Sequence, residues 1–363
     1  MKNQIQQENR GIIKVLFVTA STSGGGAERM LFNIIRSLDS KHDVKLFVTS
    51  DEQIPSVYED DKIKCVNANK RHAVNAFFKL LIEIKRYDPQ HVFTTSSNIG
   101  YMIIMAKKIL RADFKIYIRC AVTPSEIYHS DIRTKGIEFA NKLVYDSADL
   151  VIAQTDFMRR DLIDKYHLKS NKVRTIRNIV DRRFITSQSI MCRAYEMKQD
   201  NYNIVACGAL YSVKGFDLLI QALSNLLKGT NRHLYILGEE RYEPGYSVFL
   251  QSIIDELGLS QHVHLVGQKI NPYPYFKSAN LFVMSSRKEG YPNVVLEALT
   301  LGVPVVATDV VDWTGVIKEG INGYLAKKDN IDSLRIALVK AFNTEFKMGY
   351  EIIDNYNYNE LFD

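Results

Sequence analysis

The chain has 363 residues, of which 46% are hydrophobic and 24% are charged. This balance is that of a soluble globular protein, and the length is sufficient for two domains with separate cores. No run approaches the roughly 18 consecutive apolar residues that a membrane-spanning helix requires. The four cysteines (Cys65, Cys120, Cys192 and Cys207) have no paired spacing. This argues against a zinc site or disulfide framework and favours a reducing, cytoplasmic location.

Charge is distributed unevenly along the chain. Residues 1–180 contain 29 Lys and Arg against 20 Asp and Glu, whereas residues 181–363 contain 18 against 21. The basic first half predicts a surface for an anionic partner, such as phospholipid headgroups or a pyrophosphate-linked acceptor. Nucleic acid would be another partner for a basic protein. The sequence has no nucleic-acid recognition motif, so we expect no such partner.

In the first half, short apolar runs alternate with segments of helical periodicity. The first run, Ile12–Ala20, could be the core of a signal peptide, but a glycine loop and an amphipathic helix follow it directly, which favours a buried strand. The predicted strands are Ile12–Thr19, Val44–Thr49, Ile63–Val66, His91–Thr95, Lys115–Arg119, Leu150–Ala153 and Lys172–Ile176. The predicted helices are Ala27–Leu38, Val74–Tyr87, Ile99–Leu110, Lys135–Ser147 and Asp156–Tyr166. Such alternation indicates a parallel sheet with helices on both faces.

The polar stretch from Asn178 to Asn201 interrupts this rhythm and is predicted to be the linker between domains 1–180 and 181–363. The alternation then restarts, which predicts a second doubly wound α/β domain. Its predicted strands are Asn203–Cys207, His233–Leu237, Val263–Val266, Leu281–Met284, Val303–Ala307 and Gly323–Leu325. Its predicted helices are Phe216–Leu227, Ser247–Leu257, Pro292–Leu301 and Ile331–Phe342.

Two loops between a strand and a helix have residues suited to phosphate. Gly24-Gly25-Gly26 follows the first strand, where glycines permit close backbone approach and the helix N-terminus offers free N–H groups. The segment differs from a dinucleotide-binding fingerprint, so a tight turn is the alternative. Lys214, in the loop Gly208–Gly215, could neutralise a phosphate as a compact charge. A solvated lysine at a helix cap is the alternative there.

The segment Glu289–Glu297 is the most specific pattern in the sequence. Gly290 and Pro292 indicate a turn that leads into a helix, with Glu289 before the helix and Glu297 inside it. The helix amides could bind phosphate oxygens while the two carboxylates accept hydroxyl hydrogens. Paired carboxylates also suggest glycosidase chemistry, but that function leaves the two phosphate-suited loops unexplained. A surface glutamate before a capped helix is the remaining alternative.

These motifs, in this order, resemble those of the family 4 retaining glycosyltransferases of the "glycosyl transferases group 1" type. The resemblance extends over nearly the whole chain and is strongest between residues 203 and 325, where Ile236-Leu237-Gly238, Val266-Gly267 and Gly302–Thr308 also match. Asn178–Asp181 resembles the inter-domain motif of that family. The resemblance implies a GT-B fold, with two Rossmann-like domains facing each other across a cleft. It also implies a donor on the second domain and an acceptor on the first.

The resemblance further implies a role for each matching residue. Lys214 would contact the donor diphosphate, Glu289 the sugar hydroxyls and Glu297 the ribose, while Gly25 and Gly26 would close over the phosphates. The implied reaction is metal-independent hexosyl transfer from a nucleotide sugar, commonly a UDP-sugar, with retention at the anomeric carbon. No Asp-x-Asp pair is present, and no cofactor is expected. The residues implied to bind the donor are Gly25, Gly26, Gly267, Gln268, Lys269, Gly290, Tyr291, Asn293, Val294 and Glu297.

Three departures from the family pattern add expectations. Many members have Arg at the position of Ala209 and His at the end of the strand that here finishes in Arg119-Cys120. Arg119 is therefore expected to supply the missing charge, and an arginine at a solvated strand edge is the alternative. Members also continue with a helix that returns to the first domain. Because this chain stops at Asp363, that helix is expected to be short.

The stretches Arg71–Lys85 and Tyr101–Lys115 mix basic with apolar residues. Each could rest on an anionic bilayer, or each could be a domain helix with a buried stripe and solvated lysines. The first interpretation predicts a peripheral protein at the inner membrane face that uses a lipid-linked or polysaccharide acceptor in cell-surface glycan synthesis. A non-catalytic GT-B partner of another transferase is the second functional hypothesis, favoured by Ala209. A sugar-nucleotide epimerase is disfavoured by the Glu289–Glu297 element.

Overall fold

The computed structural model describes residues 11–22, 25–50, 55, 63–68, 73–127, 132–346 and 356–363. They form two compact units, one made of the described residues up to Ile179 together with 356–363, and one that begins at Val180. The predicted boundary lay between residues 180 and 181. The predicted second domain also included 356–363, which instead pack on the first unit.

The first unit contains a parallel sheet with the strand order β3-β2-β1-β4-β5-β6-β7. Side chains alternate between the two faces of this sheet, and both faces are covered. On β1, for example, Leu16 and Val18 face one core while Phe17 lies beside Phe93 of β4 on the other face. The strands are β1 (Ile13–Thr19), β2 (His42–Val48), β3 (Lys64–Asn67), β4 (His91–Thr94), β5 (Lys115–Arg119), β6 (Leu150–Ala153) and β7 (Val173–Thr175).

Helices connect these strands. They are α1 (Gly26–Ser37), α2 (Ala73–Tyr87), α3 (Ser97–Leu110), α4 (Pro124–Ile127), α5 (Ile132–Ser147) and α6 (Asp156–Tyr166). In helix α1 the seven consecutive residues Arg29–Ile35 are all buried. Helix α6 begins after Thr155, whose side chain accepts a hydrogen bond from the Met158 amide and so caps the helix.

The second unit contains a parallel sheet with the order β10-β9-β8-β11-β12-β13. Its strands β11 and β12 are buried along their whole length. The strands are β8 (Tyr202–Cys207), β9 (Arg232–Leu237), β10 (Val263–Gly267), β11 (Leu281–Met284), β12 (Val305–Thr308) and β13 (Gly323–Ala326). The helices are α7 (Arg182–Ser189), α8 (Phe216–Leu227), α9 (Tyr246–Glu256), α10 (Tyr273–Lys277), α11 (Asn293–Thr300) and α12 (Ile331–Phe342).

Helix α7 lies in the stretch that the sequence predicted to be a linker, so that prediction was wrong over residues 182–189. Asp181 caps this helix by accepting a hydrogen bond from the Phe184 amide at 2.9 Å. Ile185 is fully buried in the core of the second unit, where α7 packs against α10. The helix escaped prediction because only two of its residues, Ile185 and Ser189, are buried, which is too short a stripe for a periodic signal.

The segment 356–363 returns to the first unit and ends in the short helix α13 (Asn359–Phe362). Phe362 is almost completely buried and contacts five rings on β1, β2, β4 and β5 in edge-on or T-shaped geometry. Asn359 anchors the helix start, because its side chain bonds the Ser37 carbonyl and the Asp39 amide. The rings around Phe362 are Phe17, His42, His91, Phe93 and Tyr117.

Among the described residues, no helix is both long enough and apolar enough to cross a membrane.

The buried position of Phe362 leads to a stability prediction. We expect Phe362→Ala to lower the free energy of unfolding of the first unit by about 3–5 kcal/mol, because it leaves a cavity among five rings. Urea unfolding followed by tyrosine fluorescence would measure this loss. Phe139→Ala, at an exposed phenylalanine of α5, is the matched control and should cost far less. Equal losses in both variants would contradict the proposed packing role.

His91 predicts a pH dependence of stability. Its ring lies against Phe362 and its Nδ1 is 3.1 Å from the Tyr117 hydroxyl. Burial, aided by the positive charges of Lys115 and His42, lowers the pKa of His91 to about 4 from its ordinary 6.5. The unfolded chain therefore binds a proton at a higher pH than the folded one. Stability is complete above about pH 6.5 and should fall as the pH decreases towards 4.

The test compares unfolding free energies of wild type and His91→Gln between pH 7 and 4. Within this window, the free energy of unfolding of wild type should fall by up to about 1.4 kcal/mol per pH unit more than that of His91→Gln, the value for one proton. His167→Gln, at an exposed histidine, is the control and should keep the wild-type slope. An unchanged slope in His91→Gln would contradict the assignment.

Candidate functional site

The order of strands in the second unit creates a crevice at one edge of the sheet. The chain runs from β8 outwards to β9 and β10, then returns to the other side of β8 with β11. The loops after β8 and β11 therefore leave the same edge in opposite directions. In open parallel sheets, ligands bind at this kind of switch point, outside the carboxyl ends of the strands. The two loops here carry Lys214 and Glu289.

The loop after β8 is shaped by glycine at two positions. Gly215 has φ +64°, and a Cβ there would lie 2.1 Å from the Ser285 carbonyl oxygen. Gly208 lets the stem of Lys214 lie across the backbone, because a Cβ on Gly208 would be 3.3 Å from the Lys214 Cδ. Between them, Ser212–Lys214 forms a single 3₁₀ turn. Gly215 is therefore required by the backbone of this loop, and Gly208 leaves room for the Lys214 stem.

The loop after β11 brings Glu289 to Lys214. The Lys214 Nζ is 2.6 Å from the Glu289 Oε1, and the Ser286 hydroxyl donates to the same oxygen at 2.7 Å. The Ser285 hydroxyl donates to the Lys214 carbonyl at 3.0 Å. These bonds join the two loops at the switch point. The structure thus brings together two of the predicted catalytic residues.

The pair is mostly shielded from water, with 20% of the Lys214 side chain and 13% of the Glu289 side chain exposed. Burial alone would lower the pKa of Lys214, but the adjacent Glu289 carboxylate outweighs this effect and the net pKa is raised. Lys214 is therefore fully protonated at neutral pH. A protonated amine in a sheltered crevice is suited to binding an anion.

Helix α11 begins at Asn293, directly after the Glu289 loop, so its first amides belong to the same region. Asn293 and Tyr291 are buried, Gly290 and Val294 are half-buried, and Glu297 lies within the helix with only 1% exposure. Free N–H groups at a helix start favour phosphate groups. These predicted donor-binding residues belong to one segment that follows Glu289 in the chain.

Gly267 is the last residue of β10 and Gln268 and Lys269 follow it, at the same edge of the sheet but two strands from β8. Lys269 donates to Glu196 at 2.8 Å, and Tyr275 donates to the other oxygen of that carboxylate at 2.5 Å. These two bonds lower the pKa of Glu196 to about 2. Lys269 is thus held by an ion pair, and Gln268 lies beside Arg241. The described contacts do not join this loop to the Lys214–Glu289 pair.

The remaining predicted site residues belong to the first unit. Gly25 precedes α1 with an extended backbone, and its carbonyl accepts from the Arg29 amide at 2.9 Å. A Cβ placed on Gly26 would meet no atom within 4 Å. The backbone at this helix start is therefore open to close approach. Gly24, the other glycine of the predicted loop, lies outside the described residues.

Arg119 is 2% exposed at the end of β5 and is enclosed by the first unit. Its guanidinium donates to the Asn178 side chain and lies next to Tyr358 in the returning C-terminal segment. Burial lowers the pKa of Arg119, opposed by interaction with the Tyr358 hydroxyl. An anion would have to displace this packing to reach the guanidinium. The structure therefore does not present Arg119 as an exposed charge, and it lies in a different unit from Lys214.

Three polar residues beside the pair were not predicted from the sequence. They are Ser286, which bonds Glu289, and the ion pair of Arg287 with Asp217, whose charged atoms are 2.8 Å apart. In the sequence, Asp217 closely follows Lys214 and Arg287 closely precedes Glu289. This placement of opposite charges was the available signal for the ion pair. Their pairing depends on which strands are neighbours. In the described part of the chain, no cluster of three or more His, Cys, Asp or Glu side chains could hold a metal ion.

Comparison with known proteins assigns the chain to a family. Residues 191–357 match the family "Glycosyl transferases group 1", and residues 24–184 match "Glycosyltransferase Family 4". The chain belongs to this glycosyltransferase family, and its two Rossmann-like units have the GT-B fold. The predictions of family and fold are thus confirmed.

Two relatives and one solved structure show the extent of the similarity. The chain is 28% identical to the N-acetylgalactosamine-N,N'-diacetylbacillosaminyl-diphospho-undecaprenol 4-alpha-N-acetylgalactosaminyltransferase of Campylobacter jejuni, over 80% of this chain and 79% of that enzyme. It is 24% identical to the O-antigen biosynthesis glycosyltransferase WclY of Escherichia coli, over 82% and 80%. The fold superposes on Anabaena HepE in complex with UDP and glucose with a TM-score of 0.75 and 19% identity, over 91% and 89%.

Proposed function

We propose that this protein transfers a hexose from a UDP-sugar to a lipid-linked or polysaccharide acceptor during cell-surface glycan synthesis. The observation that carries the proposal is the contact between Lys214 and Glu289 at the switch point of the second unit. One relative acts on a diphospho-undecaprenol substrate by its name, another functions in O-antigen biosynthesis, and structures of HepE contain UDP or UDP-glucose. These similarities support the donor and acceptor classes.

In the proposed reaction, the bond between the anomeric carbon and the diphosphate oxygen breaks. The new bond to the acceptor oxygen forms on the same face of the sugar, so the configuration is retained. The proton of the acceptor hydroxyl leaves with the diphosphate. Lys214 and the first amides of α11 stabilise the negative charge on the leaving group, a role that requires no metal ion. Glu289 binds sugar hydroxyls and Glu297 binds the ribose.

The free protein already compensates the charge of Lys214. Glu289 neutralises the amine, so the sheltered ammonium is stable before any donor binds. When a diphosphate enters, it takes over this role, and the carboxylate becomes available to sugar hydroxyls. Under this proposal Lys214 and Glu289 neutralise each other in the free protein. In the donor complex, Lys214 binds the diphosphate and Glu289 binds the sugar hydroxyls.

Donor hydrolysis tests the proposal directly. Purified protein is incubated with a panel of nucleotide sugars without metal, with and without EDTA, and turnover is followed by ³¹P NMR. We expect slow hydrolysis of one UDP-sugar that EDTA leaves unchanged. Lys214→Ala and Glu289→Gln should each reduce the rate by about 100- to 1,000-fold, because each removes a contact to the developing charge or to the sugar.

Glu256→Gln, at an exposed glutamate of α9, is the matched control and should retain full turnover. Absence of binding and turnover with every donor, in protein shown to be folded, would contradict the proposal. That result would favour the alternative of a non-catalytic GT-B partner. Loss of turnover with EDTA would contradict metal independence alone.

We also propose that the first unit rests on the anionic inner face of a membrane. Helices α2 and α3 pack side by side, as do α3 and α5, and each exposes two large apolar side chains one turn apart. Exposed basic residues lie at the ends of α2 and α3. This combination is typical of a surface that inserts shallowly between lipid headgroups. The apolar residues are Phe78, Ile82, Met105, Ile109, Phe139 and Leu143, and the basic ones are Lys85, Arg86, Lys108 and Arg111.

Vesicle co-sedimentation measures this association. Wild type should bind vesicles that contain about a third phosphatidylglycerol more tightly than neutral phosphatidylcholine vesicles, because each basic residue near the surface contributes about 1 kcal/mol. The double variant Phe78→Glu/Ile109→Glu should bind at least about tenfold more weakly, because burying either carboxylate is costly. Phe157→Glu, at an exposed phenylalanine of α6, is the control. Equal binding of wild type to vesicles with and without anionic lipid would contradict the proposal.

A further inference from the structure

We propose that Arg287 is a positioning residue for donor binding, because it holds the turn that carries Lys214. Arg287 does not contact the proposed donor itself. It acts by maintaining the Lys214 amine at the place where the diphosphate binds. This inference rests on the proposed function and adds to it a residue outside the predicted site.

Arg287 is bonded to the Lys214 turn through both its backbone and its side chain. The Arg287 amide donates to the Val213 carbonyl at 2.7 Å, and the Nη1 donates to the Ser212 carbonyl. Two of the three residues of the turn Ser212–Lys214 are therefore held from the opposite loop. Because Arg287 is two positions before Glu289, the same loop supplies the carboxylate that meets the Lys214 amine.

The guanidinium also makes a bidentate ion pair with Asp217, in the first turn of α8. The Nη1 and Nη2 atoms donate to the two carboxylate oxygens at 2.9 and 2.8 Å, and the Tyr246 hydroxyl donates to one of them at 2.9 Å. Burial would raise the pKa of Asp217, but these bonds outweigh it and the net pKa is lowered. Lys214 and Gly215 lie between these two anchors, so Arg287 holds the segment on both sides of Lys214.

The geometry distinguishes this role from that of an ordinary surface pair. The Asp217 side chain is 14% exposed, and its bidentate pair with a planar guanidinium fixes direction as well as distance. A lysine has a single terminal nitrogen, so it cannot reproduce the pair in which Nη1 and Nη2 each bond one oxygen of Asp217. Arg287 has a second partner, Asp329, whose side chain is 63% exposed. Exposed pairs of this kind contribute little, so Asp329 provides a control at the same arginine.

The experiment measures the affinity of full-length protein for UDP and for uridine by calorimetry. Uridine lacks the diphosphate, so its binding does not depend on the Lys214 amine. Arg287→Lys and Asp217→Asn should weaken UDP binding by about 10- to 100-fold, the scale expected when a binding group is displaced by about 1 Å. Both variants should bind uridine within about twofold of wild type. Asp329→Asn should match wild type for both ligands.

A purely structural role predicts a different pattern. If Arg287 only stabilises the unit, Arg287→Lys should weaken the binding of UDP and of uridine equally, or it should change neither affinity. Val283→Ala, in the fully buried core of β11, is the control for destabilisation and should lower the melting temperature without selective loss of UDP. Unchanged UDP affinity in both Arg287→Lys and Asp217→Asn overturns the inference. Two other results would contradict the proposed function instead. They are a failure of the wild-type protein to bind UDP, and normal binding of UDP by Lys214→Ala.

Discussion

The loops after β8 and β11 can meet only because residue 215 is glycine. Any Cβ at this position would lie 2.1 Å from the Ser285 carbonyl oxygen, and the positive φ would add strain. A similar contact secures the other side of β8, where a Cβ on Gly238 would lie 1.8 Å from the Gly208 carbonyl oxygen. Backbone contact at these two points determines how close the loops approach. The polar contacts at the switch point follow from that spacing.

Two ion pairs and several hydrogen bonds then connect the two sides of the switch point. Lys214 pairs with Glu289, Asp217 pairs with Arg287, and the Ser285 hydroxyl bonds the Lys214 carbonyl. The β8 loop together with the first turn of α8 contributes one cation and one anion, and so does the loop after β11, so these four groups carry no net charge at their junction. Charges that are partly buried require such compensation. A bound anion therefore becomes a new partner of the Lys214 amine, which is already charged, and no additional cation has to be formed.

The sequence was sufficient to predict the strands, because buried parallel strands such as β11 appear as continuous apolar runs. It also predicted Lys214 and Glu289 from loop chemistry. It was not sufficient for contacts that depend on strand order. Arg287 and Asp217 are 70 positions apart and become neighbours only because β11 returns to the side of β8. The family resemblance predicted a short helix that returns to the first domain, but it did not predict the packing of Phe362, whose ring partners come from four strands.

The return of residues 356–363 to the first unit means that the second unit is an insertion within the first. During synthesis, the strands that carry Phe17, Phe93 and Tyr117 emerge long before the ring of Phe362 that covers them. One face of the first sheet therefore stays incomplete until the ribosome has made the entire second unit. The second unit has no such dependence, because its sequence is continuous. Although the first unit is synthesised first, it is the last to complete its core.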